Sequence, residues 1–177
     1  MVSIDCGDML CLRSITEADT ENVLRWRNSK VVVPFFNYQG IITPEDHSRW
    51  LREKVETGKV YQFILYHKLL SKDIGSVYIQ NIDPNNQKGE FGIFIGEEDG
   101  LCKGAGTIAT KAMIRFAFSD LKLHRLYLQV HADNIRAIKC YEKAGFQREA
   151  FLRDDVYVNG HFCDLVIMGI LNKEIMM

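Results

Sequence analysis

Paired cysteines are missing from this chain. Its five, Cys6, Cys11, Cys102, Cys140 and Cys163, are odd in number, scattered, and never spaced C-x-x-C. The five histidines are equally dispersed, so neither a zinc pattern nor a disulfide framework emerges, and the thiols are expected to be reduced. No metal is expected. Long apolar runs are missing too, none approaching the length that spans a bilayer, so no membrane partner is expected. The start, MVSIDCGDMLCLRSI, carries an acidic residue where a secretory leader would carry basic ones, which points to a cytoplasmic protein. An excess of either charge is also absent. With 22 Lys and Arg against 23 Asp and Glu, the formal net charge is -1, which argues against a nucleic-acid partner held by bulk electrostatics. Repeats, low-complexity tracts and linkers are lacking. What remains is a chain of 177 residues, 47% apolar and 25% charged, expected to form one domain over 1–177 with its own core.

The hydrophobic pattern then sets an order of elements. MLCLRSI alternates as a short first strand. Thr16 with Asp19, and Thr43 with Pro44 and Asp46, carry the start signals of two helices, TEADTENVLRWRNS and TPEDHSRWLREKV. Between them lies a loop rich in aromatics. Three strands follow, YQFILY, DIGSVYIQNI and EFGIFIG, the last two joined by the turn DPNNQKG. GLCKGAGTIATKAMIRFAF starts a helix of about four turns. HRLYLQVHA reads as a strand, and NIRAIKCYEKAG as a short helix closed by Gly145. The remainder reads as two strands meeting at Asn159-Gly160, a strong hairpin signal. Seven strands and four helices in this order predict a mixed α+β sheet with helices on its faces.

Two glycines around an alanine at a helix start raise a chemical question. Helix N-termini expose unpaired N–H groups and the positive end of the dipole, and glycines there clear space for a diphosphate. The amides of Cys102, Lys103, Gly104, Ala105, Gly106 and Thr107 are thus a candidate anion cradle. Glycines that merely turn the chain and let a helix pack on the sheet explain the same letters equally well. A P-loop is excluded because Lys103 precedes Gly104. The G-x-G-x-x-A dinucleotide pattern fits Gly104 to Ala109, but EEDGLCK separates it from its strand and HRLYLQVH ends without the acidic residue that grips ribose. A nicotinamide dinucleotide is therefore a distant alternative.

EFGIFIG, then KGAGT, then N-x-x-A-x-x-x-Y-E-K-A-G-F about thirty positions on, together resemble the GNAT superfamily of acetyl-CoA-dependent N-acetyltransferases, and the resemblance covers nearly the whole chain. It implies a GNAT fold, a mixed, mostly antiparallel central sheet flanked by helices. It implies acetyl-CoA as co-substrate, with the diphosphate on the amides of 102–107 and the pantetheine arm along the backbone of Phe94 and Ile95. Asn134 would hydrogen-bond the cofactor near its thioester end, although Asn also suits a plain helix N-cap. Tyr141 would protonate the departing thiolate. An amine attacks a thioester only when neutral, so some group must also take its proton. Glu90 is the candidate base, on the strand face shared with Gly92 and Phe94, with His131, Asp133 or water as substitutes. A non-catalytic CoA-binding module is the alternative outside enzymes.

The acceptor is the least legible part. In the family its site forms largely from the loop between the first two helices and from the final hairpin. RWRNSKVVVPFFNYQGIITPEDHSRW supplies surplus aromatics and local cations here, and Asn28, Phe35, Tyr38 and His47 are the candidate acceptor residues. The spacing W-R-N … H-x-x-W is similar to amino-sugar N-acetyltransferases of the pseudaminic-acid type, and the layout more loosely to ribosomal-protein N-terminal acetyltransferases. A nucleotide-linked amino sugar is preferred, aromatics facing its base and cations its diphosphate. A peptide N-terminus, a polyamine, an aminoglycoside or an amino acid stay open. A homodimer is expected, with LVIMGIL serving as interface or as core.

Overall fold

The computed structural model describes residues 2–101 and 104–174. Its elements, in chain order, are β1 (Ser3–Asp5), β2 (Leu10–Ser14), α1 (Thr20–Arg27), α2 (Pro44–Trp50), β3 (Tyr61–His67), β4 (Lys72–Asp83), β5 (Lys88–Ile95), α3 (Ala105–Ser119), β6 (Arg125–His131), α4 (Ile135–Ala144), β7 (Gln147–Val158) and β8 (His161–Leu171). All strands join one eight-stranded sheet in the order β1-β2-β3-β4-β5-β6-β8-β7. Every neighbouring pair is antiparallel except β5 and β6.

The sheet has one strand more than the pattern predicts. Gly7, at φ +82°, turns the chain so that Ser3–Asp5 folds back on Cys11–Arg13. Three residues are too few for periodicity to reveal. The helix starts fall where their caps placed them. Asp19 Oδ2 accepts from the Thr16 amide at 2.8 Å and its carboxylate also holds Arg13 at 2.6 Å, so this capping residue doubles as a buried ion-pair partner. A 3₁₀ turn over Glu17–Asp19 precedes α1, and Thr43 Oγ1 accepts from the Asp46 amide at 3.2 Å to start α2. Asn159 and Gly160 both have positive φ, as a tight hairpin turn of the twisted kind requires.

Strand alternation divides the apolar residues between two layers. On one face Phe63, Leu65, Val77, Ile79, Phe91, Leu126 and Leu128 pack against Ala109, Met113 and Phe116 of α3 and Ile138 and Tyr141 of α4. On the other, Ile64 and Phe94, with Tyr78 beside them, pack against Val23 and Trp26 of α1, Val32, and Leu51. Leu165, Val166, Met168 and Ile170 of β8 are buried within the chain, so LVIMGIL is core.

The functional geometry comes from one irregularity. β5 pairs with β6 only from Lys88 to Glu90, opposite Arg125 to Tyr127. Beyond that point β5 continues with β4 to Ile95 and Gly75, and β6 continues with β8 to His131 and Leu165. The two parallel strands therefore part, and a gap opens through the middle of the sheet.

Candidate active site

A cavity of about 570 Å³ occupies this gap, walled by β4, β5, β6, the α1–α2 loop, and the starts of α3 and α4. Its two sides differ in chemistry because strand alternation assigns opposite residues to opposite faces. Towards α3 and α4 lie Gly104, Gly106 and Thr107, with Tyr141 and the cations Arg136, Lys139 and Lys143 of α4. Towards the α1–α2 loop lie Tyr78, Gln80, Glu90, Gln129 and His131.

On the helical side, Gly104 caps α3 in the left-handed conformation at φ +86°, and a Cβ there would meet only open space. The first amide bonded inside the helix is that of Ile108, to the Gly104 carbonyl, which leaves the amides of Ala105, Gly106 and Thr107 at the helix mouth. Gly106 has a different task. A Cβ on it would lie 3.2 Å from Cys140 Sγ, so glycine there lets α4 close against the first turn of α3. Turning the chain thus falls to Gly104 and close packing to Gly106. The side chain of Thr107 is engaged with Cys140 Sγ at 3.4 Å, so the amide is what it offers a ligand. Cys102 and Lys103 lie outside the described residues. An open cavity beside a glycine-capped helix start, with amides bonded to none of the described residues and a parted strand, fits a phosphorylated, chain-like ligand such as CoA.

Asn134 accepts from the Ala137 amide at 3.2 Å as the N-cap of α4, and it also lines the cavity. Phe94 turns its ring away from α3, against Trp26 and Phe36, while Ile95 points towards Gly106. Tyr141 is buried, its ring edge-on to Phe91 and Phe146 at 6.0 and 6.2 Å, and its hydroxyl bonds to none of the described residues. Burial pushes this phenol well above the usual tyrosine range, so it stays protonated in neutral solution.

On the loop side, Glu90 accepts from Asn81 Nδ2 at 2.7 Å, a bond made by a bulge in β4 where Asn81 takes φ +49°. His131 is buried, with Nε2 3.2 Å from Asn37 Oδ1, and burial lowers its pKa, opposed by Asp133. Asp133 is exposed and away from the cavity wall. Glu90, His131, Tyr141 and Asn134 are thus brought together, as are Phe35 and Tyr38, which stand exposed at the rim.

Two candidate acceptor residues lie elsewhere. His47 is buried between α1 and α2, its Nδ1 3.0 Å from Thr20 Oγ1, because the helix face it shares with Trp50 is the one that packs inward. Asn28 exchanges two hydrogen bonds of 2.9 Å with the backbone of Ile42 and so clips the α1–α2 loop. Two of the loop's cations are held in ion pairs, while Arg27 keeps a buried Nη1 bonded to none of the described residues. Arg25 pairs with Glu97 at 2.6 Å, Arg49 pairs with Asp46, and Arg27 lies 3.5 Å above the Phe36 ring. Sequence reasoning passed over Tyr78, Gln80 and Gln129. The tight turn between Asp83 and Lys88 sets the register that puts Gln80 opposite Glu90 and Tyr78 opposite Gly92, and that turn was readable.

A mixed sheet that parts between two parallel strands, with a glycine-capped helix at the opening and a protonated tyrosine beneath it, defines the acyl-CoA N-acyltransferase fold. The family model for the acetyltransferase (GNAT) domain matches residues 9–147, and the chain belongs to that family. It is an acetyl-CoA-dependent N-acetyltransferase. It is 32% identical over 138 residues to YdaF of Bacillus subtilis (strain 168), whose name provisionally makes it a ribosomal N-acetyltransferase, over 77% of this chain and 70% of that protein. It is 27% identical over 141 residues to the acetyltransferase PseH of Campylobacter jejuni, covering 78% of this chain and 85% of PseH. The crystal structure of spermidine N-acetyltransferase from Vibrio cholerae in complex with CoA and spermine superposes with a TM-score of 0.88 at 22% identity, over 96% of this chain and 99% of that one. Among the described residues no group of three or more His, Cys, Asp or Glu gathers to hold a metal, and no helix is long and apolar enough to cross a membrane.

Proposed function

We propose that the chain acetylates the primary amine of a small molecule in a ternary complex, and that the amine approaches from the α1–α2 loop while acetyl-CoA lies against α3 and α4. The parting of β5 and β6 carries this reading, since it opens a passage through the sheet between the two sides. When bound, acetyl-CoA supplies the electrophilic thioester carbonyl. The amides of Ala105 to Thr107 hold its diphosphate, the freed backbone of Phe94 and Ile95 holds the pantetheine arm, and Asn134 holds the end near the sulfur. Glu90 takes the proton of the attacking amine, with His131 as the substitute base on the same wall. Tyr141 gives its proton to the departing thiolate and recovers it from solvent.

The preferred acceptor is a nucleotide-linked amino sugar, its base against Phe35 and Tyr38 and its sugar hydroxyls against Gln80, Gln129 and Asn37. A polyamine is the second reading, favoured by the overall likeness to spermidine N-acetyltransferases. One feature weighs against it. Glu90 is the sole Asp or Glu on the described cavity wall, whereas a polyamine carries several cations to be matched. The test is a steady-state assay of CoA release with a UDP-linked 4-amino sugar, spermidine and a peptide with a free N-terminus. A kcat/KM for the amino sugar at least tenfold above the other two is expected. Preference for spermidine would replace this acceptor with a polyamine.

A further inference from the structure

Tyr78 belongs to no motif, yet the sheet makes a place for it at the gap. It stands directly opposite Gly92 in the β4–β5 ladder. A Cβ on Gly92 would fall 2.5 Å from the Tyr78 hydroxyl oxygen, and closer still to Cζ. Side chains do not approach so near, so the ring lies flat across the strand at the position where β5 lacks a side chain. The hydroxyl is thereby carried from β4 over β5, where Tyr78 lines the cavity. Glu90 lies two residues before Gly92 on the same strand face, and both line the cavity with Tyr78.

The hydroxyl sits in a mixed field. Arg27, whose guanidinium rests on Phe36, and the Glu90 carboxylate both act on it, with opposite sign. Burial is the larger influence and pushes the phenol up to about 12. It therefore stays neutral throughout the range in which amines are acetylated, and a neutral phenol both accepts and donates a hydrogen bond.

We infer that Tyr78 is an acceptor-binding residue: its hydroxyl oxygen accepts a hydrogen bond from the amine N–H on the loop side of the gap, and residue 92 is glycine so that the ring can reach there. This rests on the ternary-complex reading above. In the transfer, the amine nitrogen forms the C–N bond at the thioester carbon and the C–S bond breaks. Tyr141 supplies the proton for sulfur, and the surplus amine proton passes to Glu90. Tyr78 gains and loses no proton. It fixes the direction of the nitrogen lone pair, and two neutral or anionic acceptors, Tyr78 and Glu90, then hold two N–H groups of one amine.

Two substitutions separate the hydroxyl from its position. Tyr78→Phe keeps the ring over Gly92 and removes the hydrogen-bonding oxygen. Gly92→Ala keeps the oxygen and pushes the ring off the strand. Both are assayed with a UDP-linked 4-amino sugar and with spermidine, alongside the dissociation constant for acetyl-CoA by calorimetry and the melting temperature. For whichever probe the wild type acetylates, each variant is expected to raise the KM for the amine and lower kcat/KM about tenfold, the scale of one buried hydrogen bond, while acetyl-CoA binding stays within twofold. Tyr78→Phe with the wild-type kcat/KM for that amine overturns the proposal while leaving the acetyltransferase reading intact. So does a loss that appears wholly in acetyl-CoA affinity. A wild type that acetylates neither probe overturns the acceptor assignment and this inference with it.

Discussion

Replacing Tyr141 with phenylalanine removes one oxygen from the site and almost nothing from the fold. The ring keeps its edge-on contacts with Phe91 and Phe146, and the hydroxyl bonds to none of the described residues, so the change in stability stays below about 1 kcal/mol. Its effect falls on the leaving group. A thiol of pKa about 8.5 leaves as an anion unless a proton arrives. In this cavity the tyrosine is the buried donor on the α4 side, held protonated because burial raises its pKa. A hydrogen bond to a developing charge contributes about 1.5–3 kcal/mol. At about 1.4 kcal/mol per factor of ten, that is roughly a ten- to hundredfold fall in kcat. Steady-state turnover, with acetyl-CoA affinity measured separately by calorimetry, distinguishes this from a binding defect. The affinity should hold within twofold. Turnover within twofold of wild type would remove Tyr141 from the chemistry and leave it as a core aromatic.

Glu90→Gln should lower the rate most at the acidic end of the pH profile, and a flat response would move the proton to His131 or to water. Gly104→Ala forces a left-handed residue into an L side chain at about 1–2 kcal/mol, so a lower melting temperature should accompany weaker acetyl-CoA binding; unchanged binding would show that the cradle does not depend on this turn. Arg13 holds both Asp19 and Asp73 at 2.6 Å but is itself about a third exposed, so Arg13→Ala should destabilise by about 2–3 kcal/mol in urea melts, below the range for a fully buried pair; a change under half a unit would mean that water replaces the guanidinium. Burial holds His47 and His131 below the ordinary histidine value of 6.5. The unfolded chain then binds more protons than the folded one as pH falls through 6.5, so their stability contribution is present above that value and lost below it. His47→Gln should therefore flatten the fall in melting temperature between pH 7.5 and 5.5, and an equally steep fall would rule out His47 as its source.

Element order, helix starts and the Asn159-Gly160 hairpin were legible because each is fixed by residues close together in the chain. A capping carboxylate three residues from its threonine, or two residues that tolerate positive φ, leave a local trace. β1 was not legible, since three residues pair only because Gly7 reverses the chain. The cofactor side was readable for the same local reason. In the proposed arrangement its ligand would be met by backbone amides at one helix start and by one strand, which is why glycine spacing pointed there. Even so, a motif did not separate Gly104, which makes the turn, from Gly106, which admits Cys140. That distinction needed the packing of α4.

The wall facing the α1–α2 loop was legible only in part because nothing local makes it. Tyr78, Glu90, His131 and Asn37 come from three strands and a loop, and they converge only through the ladder register and the loss of pairing after Glu90 and Tyr127. The spacing W-R-N … H-x-x-W put His47 among the acceptor candidates, yet the helix face it shares with Trp50 packs inward, on Thr20. The cations in the same loop show a related limit. A count of Arg and Lys registers charge but not the partner across the fold, and Glu97 and Asp46 had already taken Arg25 and Arg49. An acceptor diphosphate would have to be held by groups other than these. The nucleotide reading therefore leans on the aromatic rim and the neutral polar wall. It follows that Phe35→Ala and Tyr38→Ala should raise the KM for a UDP-linked amino sugar several-fold and leave that for spermidine unchanged. Equal losses for both amines would mean that the rim shapes the cavity without reading the base.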